Sequence, residues 1–209
     1  MFISLSSSYS GNACAVRQSI TNYSTSGETQ FFDWLVCSMK SINELLEGKP
    51  ILFEETYEYL NTLDTTAIKF LDFNYLISYH DITKFTDNSR NEITEKYTRR
   101  YKRLINTIKS EKEIYFIRYC KDSNNIDEEE IIKFYENIKN INCDLLFKFI
   151  LMSDCENLII PDNLINNENF IYINLNSYID DDVINETNEY FKIIKSYKCV
   201  FNIIKPSHN

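Results

Sequence analysis

Two apolar runs with a helical pattern between them do most to limit the folds open to this chain. Glu113-Ile-Tyr-Phe-Ile-Arg-Tyr119 is rich in β-branched and aromatic residues, and Leu145 to Met152 is continuously apolar apart from Lys148. Between them, Asp127-Glu-Glu-Glu130 opens a helix with apolar positions at Ile131, Ile132, Phe134, Tyr135 and Ile138; its acids complement the positive end of the helix dipole. A strand that is apolar throughout is buried on both faces, as in a parallel sheet covered by helices. The same alternation runs along the chain. Phe2-Ile-Ser-Leu5 reads as a strand, Ser6 to Asn12 as a turn of small polar residues, and Ala13 to Ile20 as a helix. Tyr75 to Tyr79 reads as a short strand and Glu92 to Lys109 as a long helix with a buried stripe at Ile93, Tyr97, Tyr101, Leu104, Ile105 and Ile108. Phe170 to Leu175 is a further strand, followed by a final helix over Val183 to Lys195 and a short extension from Tyr197 to Ile204. The expectation is an α/β fold: one domain over residues 1–209, with a mostly parallel sheet and helices on both faces.

Two stretches are less regular. Phe32, Leu35, Met39, Ile42, Leu45 and Leu46 follow helical spacing, so Asp33 reads as the N-cap of an amphipathic helix that ends at Gly48-Lys-Pro50. Residues 51–72 are mixed; Leu52, Phe53 and Tyr57-Glu-Tyr-Leu60 suggest a helix or a small excursion that covers the sheet.

With 44% hydrophobic and 14% aromatic residues, the 209-residue chain can bury a sizeable core. A net charge of -9 argues against a nucleic-acid partner, which would call for a basic surface. No 18-residue apolar run is present, so no membrane span is expected. The N-terminus has neither the basic region nor the long apolar stretch of a signal peptide. The six cysteines, at 14, 37, 120, 143, 155 and 199, form no CxxC pair, which argues against a structural zinc site. Reduced thiols and a cytoplasmic location are expected, with no cofactor.

Chemistry concentrates at a few positions. Cys14 lies near the first turn of a helix, where unpaired N–H groups and the helix dipole lower a thiol's pKa and favour thiolate. Gly11 and Asn12 precede it and let a substrate approach the backbone closely. Phe31-Phe-Asp33-Trp34 carries the only Trp and suggests a pocket wall. The Tyr75–Tyr79 strand runs into His80-Asp81, and in α/β sheets functional groups collect beyond the carboxyl ends of strands. The only other histidine, His208, lies in the C-terminal tail, so His80 is the internal candidate for a base. Arg99, Arg100 and Arg103, with Lys96 and Lys102, make the long helix the most basic segment of an acidic protein. It reads either as a solvated face or as a set of cations that meets an anionic ligand group.

The order of these segments resembles the DUF1796 family, the papain-like cysteine peptidases of bacteria and large DNA viruses. The resemblance is carried by Ile3-Ser-Leu5 with a Cys soon after and Val16, Phe32-Asp-Trp-Leu35, the strand ending in His80-Asp81, Lys96-Tyr-Thr-Arg-Arg100 with Arg103, and Ile114-Tyr-Phe-Ile-Arg118. It covers about the first 120 residues. It implies a thiol hydrolase with Cys14 as nucleophile, His80 as general base and Asp81 as orienting group. Gly11, Asn12, Asp33, Trp34, Arg99, Arg100 and Arg103 would then serve the substrate, a peptide or acyl compound, with a host protein as a further candidate partner if the source is viral. The family usually carries Gly directly after the Ser-Leu pair; here Ser6 stands there and the turn before Cys14 is longer. A second resemblance, to the WcbI-type polysaccharide acetyltransferases linked to coenzyme A, rests on Gly11 to Cys14 alone. A non-catalytic interaction protein on the same scaffold is the third reading.

Overall fold

The computed structural model describes residues 1–7, 13–23, 28–49, 57–61, 66–79, 81, 87–121, 126–178, 195 and 201. In chain order the elements are β1 (Phe2–Ser7), α1 (Ala13–Tyr23), β2 (Leu35–Cys37), α2 (Met39–Leu46), β3 (Tyr57–Asn61), β4 (Thr66–Phe70), β5 (Leu76–Ser78), α3 (Asp87–Ser110), β6 (Glu113–Cys120), α4 (Glu128–Ile141), β7 (Leu146–Ser153), α5 (Asp162–Ile165) and β8 (Phe170–Asn174). All eight strands join one sheet in the order β3-β4-β5-β2-β1-β6-β7-β8. The run from β2 to β8 is parallel throughout. β5, β4 and β3 extend the sheet antiparallel from β2. The α/β architecture thus has the mostly parallel sheet that the alternating pattern implies.

Alternation along the central strands divides the core in two. From β6 and β7, Ile114, Phe116, Phe147, Phe149 and Leu151 face α2, α3 and α4 through Ile42, Tyr97, Leu104 and Phe134. Ile117, Tyr119, Ile150 and Met152 face the other way, onto Ala15, Val16 and Ile20 of α1. Helices therefore cover both faces. β1 is the strand at which the chain changes direction: β2 lies on one side of it and β6 on the other, both parallel to it. In wound sheets, this reversal opens a crevice beyond the carboxyl end of the central strand.

Two expectations are corrected. Asp33 does not cap a helix. Leu35–Cys37 is a strand, and α2 begins only at Met39, capped by the Ser38 side chain, which accepts from the Ser41 N–H at 3.1 Å. Three apolar residues leading directly into an amphipathic helix share its spacing, so the pattern alone merges the two. Residues 57–61 and 66–70 do not cover the sheet; as the antiparallel pair β3 and β4 they continue it at one edge. Residues 158–161, ahead of α5, form no regular element. The final helix at 183–195 and the extension at 197–204 lie, apart from the helical Lys195 and Phe201, outside the described residues.

Candidate functional site

β1 ends irregularly. Ser4 pairs with Ile117 and Ser7 with Tyr119, so β1 holds one extra residue, a bulge. Ser6, inside it, has φ 56°, a left-handed conformation that favours glycine. It is the position at which the resemblance described above implies a glycine. The Ser6 hydroxyl donates to the Leu35 carbonyl at the start of β2, and the Ser6 N–H donates to Ser4 Oγ at 3.0 Å. Arg118 reaches across from β6, only 2% exposed, and donates to the Leu5 carbonyl at 2.9 Å and the Cys37 carbonyl at 2.8 Å. Among the described residues no carboxylate pairs with it, so its fork acts as a staple across β6, β1 and β2 at the bulge.

Cys14 follows this irregular strand end, in the first turn of α1. It is half-buried, and burial pushes its thiol up to about 11, against the expectation that the helix terminus lowers it. In these surroundings the thiol is neutral at pH 7, and a thiolate there needs a base. Arg17, one turn further along α1, places its Nε 3.3 Å from Asp33 Oδ2. Both side chains are buried, at 8% and 0% exposure.

Asp33 lies in the turn just before β2. The Gln30 N–H donates to its Oδ2 at 2.7 Å, and Arg100 of α3 donates to its carbonyl at 3.5 Å. α1 and α3 cover opposite faces of the sheet, so Asp33 is held from both layers. Burial raises its carboxyl to about 6, against the pull of Arg17, the Gln30 N–H, Arg100 and Arg103. Its Oδ1 has no hydrogen-bond partner, nor has the buried Gln30 Oε1. Trp34, half-buried, has φ 69°, a rare conformation for a bulky residue. Ser6 and Trp34 are the two non-glycine residues of positive φ among those described, and the Ser6–Leu35 bond brings them side by side.

Asp81 lies three residues beyond the end of β5. Asp81 accepts hydrogen bonds from Ser78 Oγ at 2.6 Å, from the Tyr97 hydroxyl and from Lys96, which ties the exit of β5 to α3. Burial would raise its carboxyl, but the bonds from Lys96, Ser78 and Tyr97 outweigh it and hold it below the usual range. β5 is antiparallel to β2, with Ser78 beside Leu35, so it runs opposite to β1, β6 and β7. His80 itself, Gly11 and Asn12 lie outside the described residues. Arg103 pairs with Glu28 at 2.8 Å, while Arg99 is exposed and lines a shallow surface hollow of about 380 Å³ with Thr94, Glu95, Thr98 and Lys102.

Sequence reasoning singled out neither Arg17 nor Arg118 as a working residue. The position of Arg17, three after Cys14, was a signal; its partner comes from a segment distant along the chain. Among the described residues no three His, Cys, Asp or Glu side chains gather to hold a metal ion, and no helix is long and apolar enough to cross a membrane.

A family model described as "Putative papain-like cysteine peptidase (DUF1796)" matches residues 2–157. No curated protein and no solved structure matches the chain. The match covers about three quarters of the sequence, through β7, and the chain belongs to this family.

Proposed function

We propose that this family member is a cysteine-dependent hydrolase that acts on a peptide or acyl substrate, with Cys14 as the nucleophile and His80 as the base. The observation that carries the reading is the place of Cys14: it opens the helix that follows β1, at the strand where the sheet order reverses. The raised thiol makes the base necessary. Cys14 Sγ attacks the substrate carbonyl while the thiol proton passes to the His80 imidazole. Backbone N–H groups between Gly11 and Ala15 would receive the oxyanion. The imidazolium then returns the proton to the departing amine or alcohol as the tetrahedral intermediate collapses to a thioester. Water, deprotonated by the same imidazole, releases the acid and the thiol. Asp81 is fixed and ionised by three hydrogen bonds, the state required of a carboxylate that orients an imidazole. Asp33 and Trp34 would border the substrate, and Arg100 and Arg103 would meet an anionic group on it.

The test is turnover of a panel of peptide and ester substrates by the wild-type chain and by Cys14→Ala. Cleavage that is lost in Cys14→Ala, with a peptidyl electrophile attached to Cys14 in the wild type, supports the reading. Cleavage that survives the substitution sinks it.

A second reading, a binding protein without catalysis, is favoured by the burial that raises the Cys14 thiol and by a serine at the strained position 6. It predicts full biological effect from Cys14→Ala.

A further inference from the structure

Two of the thiols lie where β6 and β7 end. Cys120 closes β6 and is the registered neighbour of Ser153, which closes β7. The Cα atoms of such neighbours lie about 5 Å apart, the spacing of adjacent strands. Alternation puts Cys120 and Ser153 on the same face as Phe116 and Leu151, towards α2, α3 and α4. The chain beyond β7 turns back onto this point: the Cys155 N–H donates to Ser153 Oγ at 3.0 Å. Ser153 therefore holds the backbone of one cysteine and stands beside the other. Tyr172 of β8 packs against the same core and senses both. Its hydroxyl is raised above the usual phenol value by burial first, then by Cys155, Cys120 and Asp154. Cys120 is buried and Cys155 half-buried, and both carry thiols.

We propose that Cys120 and Cys155 form a site of reversible thiol modification, which a small-molecule disulfide attacks at Cys155 and which closes to a Cys120–Cys155 disulfide. Exposure sets the order of events. The Cys155 thiolate attacks one sulfur of the small disulfide, whose S–S bond breaks; one small thiolate leaves and a mixed disulfide stands on Cys155. The Cys120 sulfur, having given its proton to solvent, then attacks the Cys155 sulfur and expels the second small thiolate. The two departing thiolates take up the two protons that the cysteines released, so one disulfide and two thiols become one disulfide and two thiols. A disulfide needs Cα atoms about 4.4–6.8 Å apart. Cys120 has that spacing from Ser153, onto which Cys155 is folded. Residues 154–161 form no helix or strand, so a small shift of Cys155 breaks no ladder bond. The turn itself is anchored: the Tyr119 hydroxyl donates to Asp154 Oδ1 at 2.7 Å and Asn176 donates to the Asp154 carbonyl at 2.8 Å. The closed bond would fasten the end of β6 to the segment that leaves β7. The site goes beyond the hydrolase reading and does not rest on it, since Cys14 opens α1, which covers the other face.

The test is a disulfide map of the full-length chain. Reduced protein is equilibrated at pH 8 with mixtures of oxidised and reduced glutathione, quenched in acid, digested with pepsin and read by mass spectrometry. The expected product is the Cys120–Cys155 link, while the exposed Cys143, at the other end of β7, carries only glutathione. The link should be half formed at a glutathione ratio about tenfold more reducing than the urea-unfolded chain requires, because the fold raises the effective concentration of one thiol at the other. Cys120→Ser should leave glutathione on Cys155 at about ten times the level in the unsubstituted chain, since no second thiol removes it. Cys155→Ser should leave the buried Cys120 unmodified. The proposal is overturned if no link forms while Cys143 is fully modified, or if either cysteine joins a different one instead. Equal glutathione on Cys155 with and without Cys120, or glutathione on Cys120 in Cys155→Ser, also overturns it. Should Cys120→Ser not fold, the maps of the unsubstituted chain and of Cys155→Ser decide. No readout uses turnover, so the hydrolase reading stands or falls separately.

Discussion

Desolvation and pairing pull the Asp33 carboxyl in opposite directions, and the balance decides what the residue does to stability. Moving a carboxylate out of water costs several kcal/mol, and one arginine at 3.3 Å with one N–H bond recovers only part of that. The carboxyl therefore stands at about 6, some two units above its value of about 3.9 in an unfolded chain. Between these values the folded protein holds a proton that the unfolded chain has given up, so stability falls as pH rises from about 4 to about 6 and is level above that. Two units correspond to about 3 kcal/mol. Asn has the same shape and no ionisation. Asp33→Asn should therefore gain on the wild type by about 2 kcal/mol between pH 4.5 and pH 7.5, measured by urea unfolding at both. A wild type that gains on the variant over that range would mean that the ion pair with Arg17 outweighs burial. Asp81 follows the opposite rule: its carboxyl is lowered, so its contribution is present at neutral pH and lost in acid.

At the scale of elements, the end of β1 is the unusual feature. A bulge, a left-handed Ser6 and the Arg118 staple all fall within the last few residues of one strand. If the left-handed backbone is the dominant cost, glycine is preferred to alanine there, the reverse of the order in an ordinary strand. Ser6→Gly should be more stable than Ser6→Ala by about 1 kcal/mol, since both lose the bond to Leu35 and only alanine keeps the strain. Equal stabilities in chemical denaturation would show that the position is not strained. Sequence reasoning reached this region in part. α4 was legible because Asp127 and three glutamates mark its start, and the Asp127 side chain does accept from the Glu130 N–H. β6 and β7 were legible because each is apolar over most of its length. β2 was not, because Leu35, Val36 and Cys37 are too few to break the helical spacing that α2 continues. The β3–β4 pair was not, because Tyr57-Glu-Tyr-Leu60 fits a turn of helix as well as a strand. Ser6 was noted only as a departure from a family glycine; the backbone angle supplies its physical meaning. Arg17 and Arg118 were missed for one reason. Each acts through a partner far along the chain, and local periodicity carries no record of such pairs.

On the scale of the whole molecule, one wound sheet places its two helical layers around β1. α1 lies on one face and α2, α3 and α4 on the other. The turn that carries Asp33 is the point where both layers touch the same residue, through Arg17 and Arg100. Family membership extends through β7, so the paired strands β1, β6 and β7 all fall within it. What remains is whether the thiol at the start of α1 works as a nucleophile, since its described surroundings keep it protonated. The direct measurement is the rate of Cys14 alkylation at pH 6.5 in the unmodified wild type, set against the exposed Cys143 of the same molecules. A thiol paired with His80 should react at least tenfold faster than Cys143 and lose that advantage in His80→Ala. A Cys14 that reacts more slowly than Cys143, with no change in His80→Ala, would contradict the account and leave a folded scaffold without its enzyme.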